Sequence, residues 1–151
     1  MNDNMTTATH MFDHSKKLAE AYEKVMQPLC KKLDMLKTAL DVLMFLANNP
    51  EFNTAGDVCR YRNIKAALVS FHVEKLVEAG FVERQAVKGD RRKCRLVCTE
   101  KAQPVIKEGR ELQKKFAQKL IAGFSDDDMA HFRKCLHIVS DNIDSILKEC
   151  L

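Results

Sequence analysis

The stretch NIKAALVSFHVEKLVEAGFVERQAVKGDRRKCRLVCTEKA, Asn63 to Ala102, holds a helix, a stop and a hairpin. Val69, Val73 and Leu76 recur at spacings of four and three, which predicts a helix over 65–79 with these three side chains facing inward. Gly80 follows and supplies the left-handed residue that commonly ends a helix. Two extended runs come next, 81–87 and 94–99, the second alternating Cys94, Leu96 and Cys98 inward with Arg95 and Val97 outward. The intervening KGDRRK, 88–93, reads as the loop of the hairpin.

Working outward toward the N-terminus, Arg62 and Asn63 make a turn, and Thr54 with Asp57 is a capping box that opens a short helix ending near Tyr61. The segment 38–47 is apolar nearly all round, a pattern that belongs at the centre of a core. Before it, Leu18, Tyr22, Val25, Leu29 and Leu33 predict a helix from about Met11, with Pro28 kinking it or ending its regular part. The first ten residues are polar and read as loose. Toward the C-terminus, Thr99 reads as the cap of a long helix with Pro104 near its start and a stripe through Val105, Gly109, Leu112, Phe116 and Leu120. Gly123 stops that helix. Ser125, with Asp126, Asp127 and Asp128, places a hydroxyl cap and three negative charges at the positive end of a last helix. Met129, Phe132, Leu136, Val139, Ile143 and Ile146 give that helix a heptad seam.

This order predicts a mainly α fold with a small β-hairpin wing. It divides into an N-terminal tail and dimerisation helix (1–33), a winged helix-turn-helix DNA-binding domain (34–99) and C-terminal dimerisation helices (100–151). The seams of the terminal helices need partners, and a second copy of the chain is preferred to folding back, since two-fold dimers are the commonest assembly. The 151 residues suffice for one domain with a real core. The net charge of +4 is uneven: from Arg60 to Arg95 there are ten Lys or Arg against four acids, a net of +6, so the remainder is negative. Such a concentration suggests a polyanionic partner.

No apolar leader or membrane-length run occurs, so the expected location is the cytoplasm, without a membrane partner. The six cysteines show no paired spacing and read as buried free thiols rather than metal ligands or disulfides. His10 and His14 lie four apart but lack a third ligand, so no metal is expected, and no cofactor either. Neither a phosphate loop nor a nucleophile elbow is present, and an enzyme is not expected.

The pattern VSxxVxxLxxxGxVxR at 69–84, the DRR at 90–92 and CTEKA at 98–102, where LTEKG is usual, resemble the MarR family of bacterial transcription regulators. The flanking helices also fall where that family keeps its dimerisation domain. The resemblance implies a winged-helix homodimer that binds pseudo-palindromic operators in double-stranded DNA and is released by a small ligand or an oxidant. Leu68 and Phe71 depart from it, standing where the family often has Thr and a basic residue, so the operator sequence does not carry over.

Candidate contacts follow. By its place in the D-x-R pattern, Arg92 resembles the family's residue that enters the minor groove, with Asp90 bracing its guanidinium. Lys88, Arg91 and Lys93 are expected along phosphates. On the helix, the face opposite the core carries Ala67, Phe71 and Glu74, flanked by Leu68, Ser70 and Lys75. Ser70 suits a base or a phosphate, and Ala67 and Phe71 suit thymine methyls. Lys65 joins the contact set, while His72 reads as a structural residue at the edge of the two faces. The resemblance also implies an effector pocket between the dimer helices and the winged domain, for which this chain offers Tyr22, Met26, Cys30 and Phe45, suited to a flat, partly apolar ligand with one polar group. Oxidation of Cys30, beside Lys31 and Lys32, is the alternative trigger. A helical interaction module that binds an acidic protein surface, or an RNA-binding winged helix, are the other readings of the same cations.

Overall fold

The computed structural model describes residues 7–87 and 90–149, with the backbone alone at 7, 8, 87 and 90–93. Local chemistry sets most element ends. The Thr54 hydroxyl accepts from the Asp57 amide at 3.1 Å and the Asp57 carboxylate accepts from the Thr54 amide at 2.9 Å, a complete capping box. Ser125 and Asp128 repeat the arrangement at 3.1 and 2.8 Å. Asp34, Asn63 and Gly80 take left-handed backbone with φ of 48°, 50° and 74°, and each follows a helix. At Gly80 the amides of Gly80 and Phe81 reach back to the carbonyls of Val77 and Leu76, both at 2.9 Å. That pairing satisfies two carbonyls that a helix end otherwise leaves open.

The elements run α1 (Thr7–Leu33), α2 (Lys37–Asn48), α3 (Ala55–Arg62), α4 (Ala66–Glu78), β1 (Val82–Val87), β2 (Asp90–Cys98), a 3-10 turn (Glu100–Ala102), α5 (Gln103–Leu120) and α6 (Asp126–Glu149). The chain is mainly helical with one antiparallel hairpin.

Several expectations need correction. α1 starts at Thr7 rather than near Met11 and runs through Pro28 to Leu33. Thr99 does not cap α5; a 3-10 turn intervenes, and the Thr99 hydroxyl donates instead to the Gly80 carbonyl at 2.7 Å. The wing loop is shorter than 88–93, because β2 already begins at Asp90. Ala86 pairs with Cys94 but Val87 pairs with Asp90, so 91–93 fall within a register shift. Such shifts raise local twist and re-aim side chains. Val97, expected outward, is half-buried.

By its contacts the chain divides into two units, Met1–Phe116 and Ala117–Leu151. The first is built on α2, whose Leu40, Val42, Leu43 and Met44 are all at most 1% exposed. Val58 of α3, Val69, Val73 and Leu76 of α4, Val82 of β1, Leu96 of β2 and Ile106 of α5 complete the core. Each such aliphatic side chain contributes about 1.5–3 kcal/mol on burial. α5 approaches α2 at Gly109, where an added Cβ would lie 2.5 Å from Met44 Sδ. The base of the wing is tied in by the Leu96 amide, which donates to the Asn53 carbonyl at 2.8 Å. The second unit carries the end of α5 and all of α6, none of whose residues is buried.

Candidate nucleic-acid interface and adjoining cavity

α4 is the second helix of a helix-turn-helix. α3 ends at Arg62, Asn63 turns the chain, and Lys65 stands at the N-cap in extended backbone. Val69, Val73 and Leu76 face the core, which leaves Lys65, Ala66, Ala67, Leu68, Ser70, Phe71, Glu74 and Lys75 exposed. Of the helix residues assigned to contacts, Lys65, Ala67, Ser70, Phe71 and Lys75 therefore share one open surface. Two charges there have protein partners: Lys75 donates to Glu78 at 2.8 Å, and Glu74 accepts from Arg84 of the hairpin at 2.8 Å. These exposed pairs are worth little individually, and they leave both cations free to exchange partners.

His72 is not an edge residue. It is 3% exposed, its Nδ1 has no hydrogen-bond partner among the described residues, and burial lowers its pKa below 6.5. The ring therefore sits neutral inside the helix-turn-helix, edge-on to Phe71 at 5.2 Å between centroids. The one-residue ambiguity of helix phase in a sequence hid this position.

The backbone of Asp90, Arg91, Arg92 and Lys93 lies on β2, one hairpin after α4. Their side chains and Lys88, including the expected Asp90–Arg92 brace, lie outside the described residues. The hairpin's root is bound to the end of α4: beside the Thr99 bond, Lys101 Nζ donates to the Ala79 carbonyl at 2.8 Å. A cation there also suits the negative end of the helix dipole.

Tyr22, Met26, Cys30 and Phe45 all line one open cavity of about 580 Å³, with further walls from Leu18, Met44, Asp41, Arg62, Gln113 and Phe116. Its rim is polar. Gln113 Nε2 donates to the Tyr22 hydroxyl at 2.7 Å, and Arg62 Nε donates to Asp41 Oδ2 at 3.1 Å, with Nη2 on the other carboxylate oxygen. Lys37 pairs with Glu23. Arg62 is the last residue of α3, so the cavity wall and the helix-turn-helix share a residue. Asp41, Arg62, Gln113 and Phe116 were not legible as pocket residues, since Gln113 lies 91 positions from Tyr22 and no local pattern links them.

Burial pushes the Cys30 thiol up, with a smaller opposing pull from Lys37. Lys32, expected to act on this thiol, instead pairs with Glu108 at 2.6 Å. Among the described residues the cysteines are free but not fully buried as expected: Cys30, Cys59, Cys94 and Cys98 are half-buried and Cys135 is exposed. His14 Nδ1 bonds the His10 carbonyl at 2.6 Å, inside α1. Among the described residues no helix is long and apolar enough to cross a membrane, and no cluster of three or more His, Cys, Asp or Glu could hold a metal.

The sequence model of the MarR family matches residues 33–93. No curated protein matches the chain. Among solved structures, a MarR protein from Peptoclostridium difficile superposes with a TM-score of 0.80 at 18% identity, covering 100% of this chain and 97% of its own. A MarR transcriptional regulator from Methanosarcina mazei gives 0.70 at 19%, covering 91% and 99%. A putative MarR family transcriptional regulator from Listeria monocytogenes, solved in complex with a 26mer DNA, gives 0.76 at 17%, covering 87% of each chain. The chain thus shares the winged-helix fold of these solved structures.

Proposed function

We propose, from the premise that residues 33–93 are a MarR-family winged helix, that the protein is a sequence-specific regulator of transcription that binds double-stranded DNA. The observation that carries this is the exposed face of α4 set beside a hairpin rich in cations, the two joined through Gly80, Thr99 and Lys101. The Listeria relative, described with DNA, supports the same reading. Lys65, Ala67, Ser70, Phe71 and Lys75 enter the major groove or line its edge; Arg92, braced by Asp90, enters the minor groove; Lys88, Arg91 and Lys93 hold phosphates.

The protein acts as a homodimer in the cytoplasm, paired through the terminal helices of 1–33 and 100–151, on an inverted repeat read by the domain 34–99. Repression is the expected outcome, lifted when a small, partly apolar ligand enters the cavity at Tyr22, Met26, Cys30 and Phe45. What supports a ligand over oxidation is the environment of Cys30: a thiol raised by burial offers little thiolate to an oxidant.

Binding to a selected duplex and to a scrambled competitor, measured over a range of salt, tests the reading. Specific binding predicts a preference for the selected duplex and a loss of roughly 10³ or more in affinity between about 50 and 200 mM salt. Equal binding of both duplexes at every salt concentration would refute it.

A further inference from the structure

The exposed face of α4 has an unusual chemistry for a helix that reads bases. Arg, Asn and Gln, the side chains that grip purine edges with two hydrogen bonds, are missing from Ala66–Glu78 altogether. The single Lys of that span, Lys75, is in the last turn and paired with Glu78. Over the first two turns, where a recognition helix meets the groove, the one exposed hydrogen-bonding side chain within the helix is Ser70, with Lys65 before it at the N-cap. His72, the remaining polar residue there, is buried.

What this surface presents instead is hydrocarbon. Leu68 is 45% exposed and Phe71 48%. Residues three apart are neighbours on a helix surface, so the two side chains form one apolar ridge, with Ala67 beside it. Leaving both half in water forgoes the free energy of burying them, and the core of the first unit offers them no cover. The major groove carries one apolar feature on its floor, the C5-methyl group of thymine.

We infer that the protein selects its half-site by thymine methyl groups, with Leu68 and Phe71 as the side chains that read them. The inference rests on the DNA-binding reading above; it makes the thymine methyls, already suited to Ala67 and Phe71, the basis of half-site selection and adds Leu68 as a reader. Leu68 becomes a specificity residue rather than a neighbour of the contact set. Ser70 fixes register, and the cations of the wing supply affinity that is indifferent to sequence. A partner protein with an acidic surface offers the cations equal attraction, but it has no regularly spaced methyl groups recessed behind its charges, as a duplex has.

The experiment uses the full chain and an operator obtained by selection from random duplexes. Each thymine of one half-site is replaced in turn by deoxyuridine, which keeps base pairing and removes only the methyl. Affinity should fall roughly three- to fivefold for each methyl contacted, the factor set by transferring one such group out of water. Leu68→Ala and Phe71→Ala, at exposed positions, should bind thymine and uracil operators alike at the affected position. If the wild type prefers its operator over scrambled DNA yet binds every uracil-substituted version equally well, DNA binding stands and methyl readout is overturned. If thymine is favoured but both variants keep the full preference, these two side chains are not the readers and the assignment falls. If selection yields no preferred duplex at all, as for a module that binds an acidic protein surface, the DNA-binding reading and this inference fail together.

Discussion

His72 shows how much one buried ring can decide. Its neutral form is fixed by burial, with the pKa below 6.5, while the unfolded chain takes up a proton near that ordinary value. As pH falls through 6.5 the unfolded state therefore binds more protons than the folded one, and stability drops until the folded ring also protonates. Replacing His72 by Leu removes both that drop and the unpaired Nδ1. Denaturant midpoints above and below 6.5 should show the variant more stable by about 1 kcal/mol at the higher pH and less sensitive to acid. At Gly109 the constraint is steric. The Cβ of an Ala there would meet Met44 Sδ at 2.5 Å and Cε at 2.9 Å, and Met44 is 1% exposed. Overpacking costs about 1–3 kcal/mol where the neighbour cannot move, and better helix propensity returns roughly 1. The atoms this Cβ meets are the flexible end of a side chain that lines the open cavity, so in Gly109→Ala Met44 should swing into that space and shrink it, while the gain in helix propensity offsets the steric cost and keeps the stability read from the denaturation midpoint within about 1 kcal/mol of the wild type. Cys30 lines the same cavity with its thiol raised, so mild peroxide should leave operator binding intact; reversible loss that disappears in Cys30→Ser would reverse the preference for a ligand.

The wing joins the two kinds of contact proposed for its cations, and substitution separates them. Arg92→Ala should cost about 1–3 kcal/mol per half-site and flatten any preference for A·T-rich flanks, whereas Lys93→Ala should weaken all duplexes alike and lower the salt slope. Equal effects of the two on every duplex would contradict the roles given them. Elements whose ends depend on neighbours three or four residues apart were legible in the sequence: the Thr54–Asp57 and Ser125–Asp128 caps and the Gly80 stop are local chemistry. Thr99 misled because its hydroxyl bonds Gly80, 19 residues earlier, a partner that no local pattern reveals. The register shift at 91–93 was hidden for a related reason, since strand pairing depends on how two runs meet rather than on either one. The cavity residues Tyr22, Met26, Cys30 and Phe45 were reached through the family resemblance, which implied a pocket beside the first two helices, whereas the Gln113 and Arg62 contributions needed the fold.

At the scale of the molecule the proposal requires two copies. Sedimentation should show a dimer at micromolar concentration, with recognition helices about one DNA turn, ~34 Å, apart and half-sites separated by ~10 bp. A monomer that stays monomeric on adding DNA would remove the geometric basis for an inverted repeat. The apolar row on α6 bears on this directly: Phe132, Leu136, Val139, Ile143 and Ile146 are all exposed in the single chain.

A helix of 24 residues with no buried side chain is held by little beyond its own backbone bonds and its Ser125 cap, and isolated helices are marginal in water. If the proposed dimer forms through it, its order is governed by mass action rather than by the fold of one chain. Progressive dilution should erode helical circular dichroism in proportion to α6 while the near-ultraviolet signal of the Tyr22–Phe116 pair in the first unit persists. The cell's copy number would accordingly set how many molecules are competent to bind an operator at all.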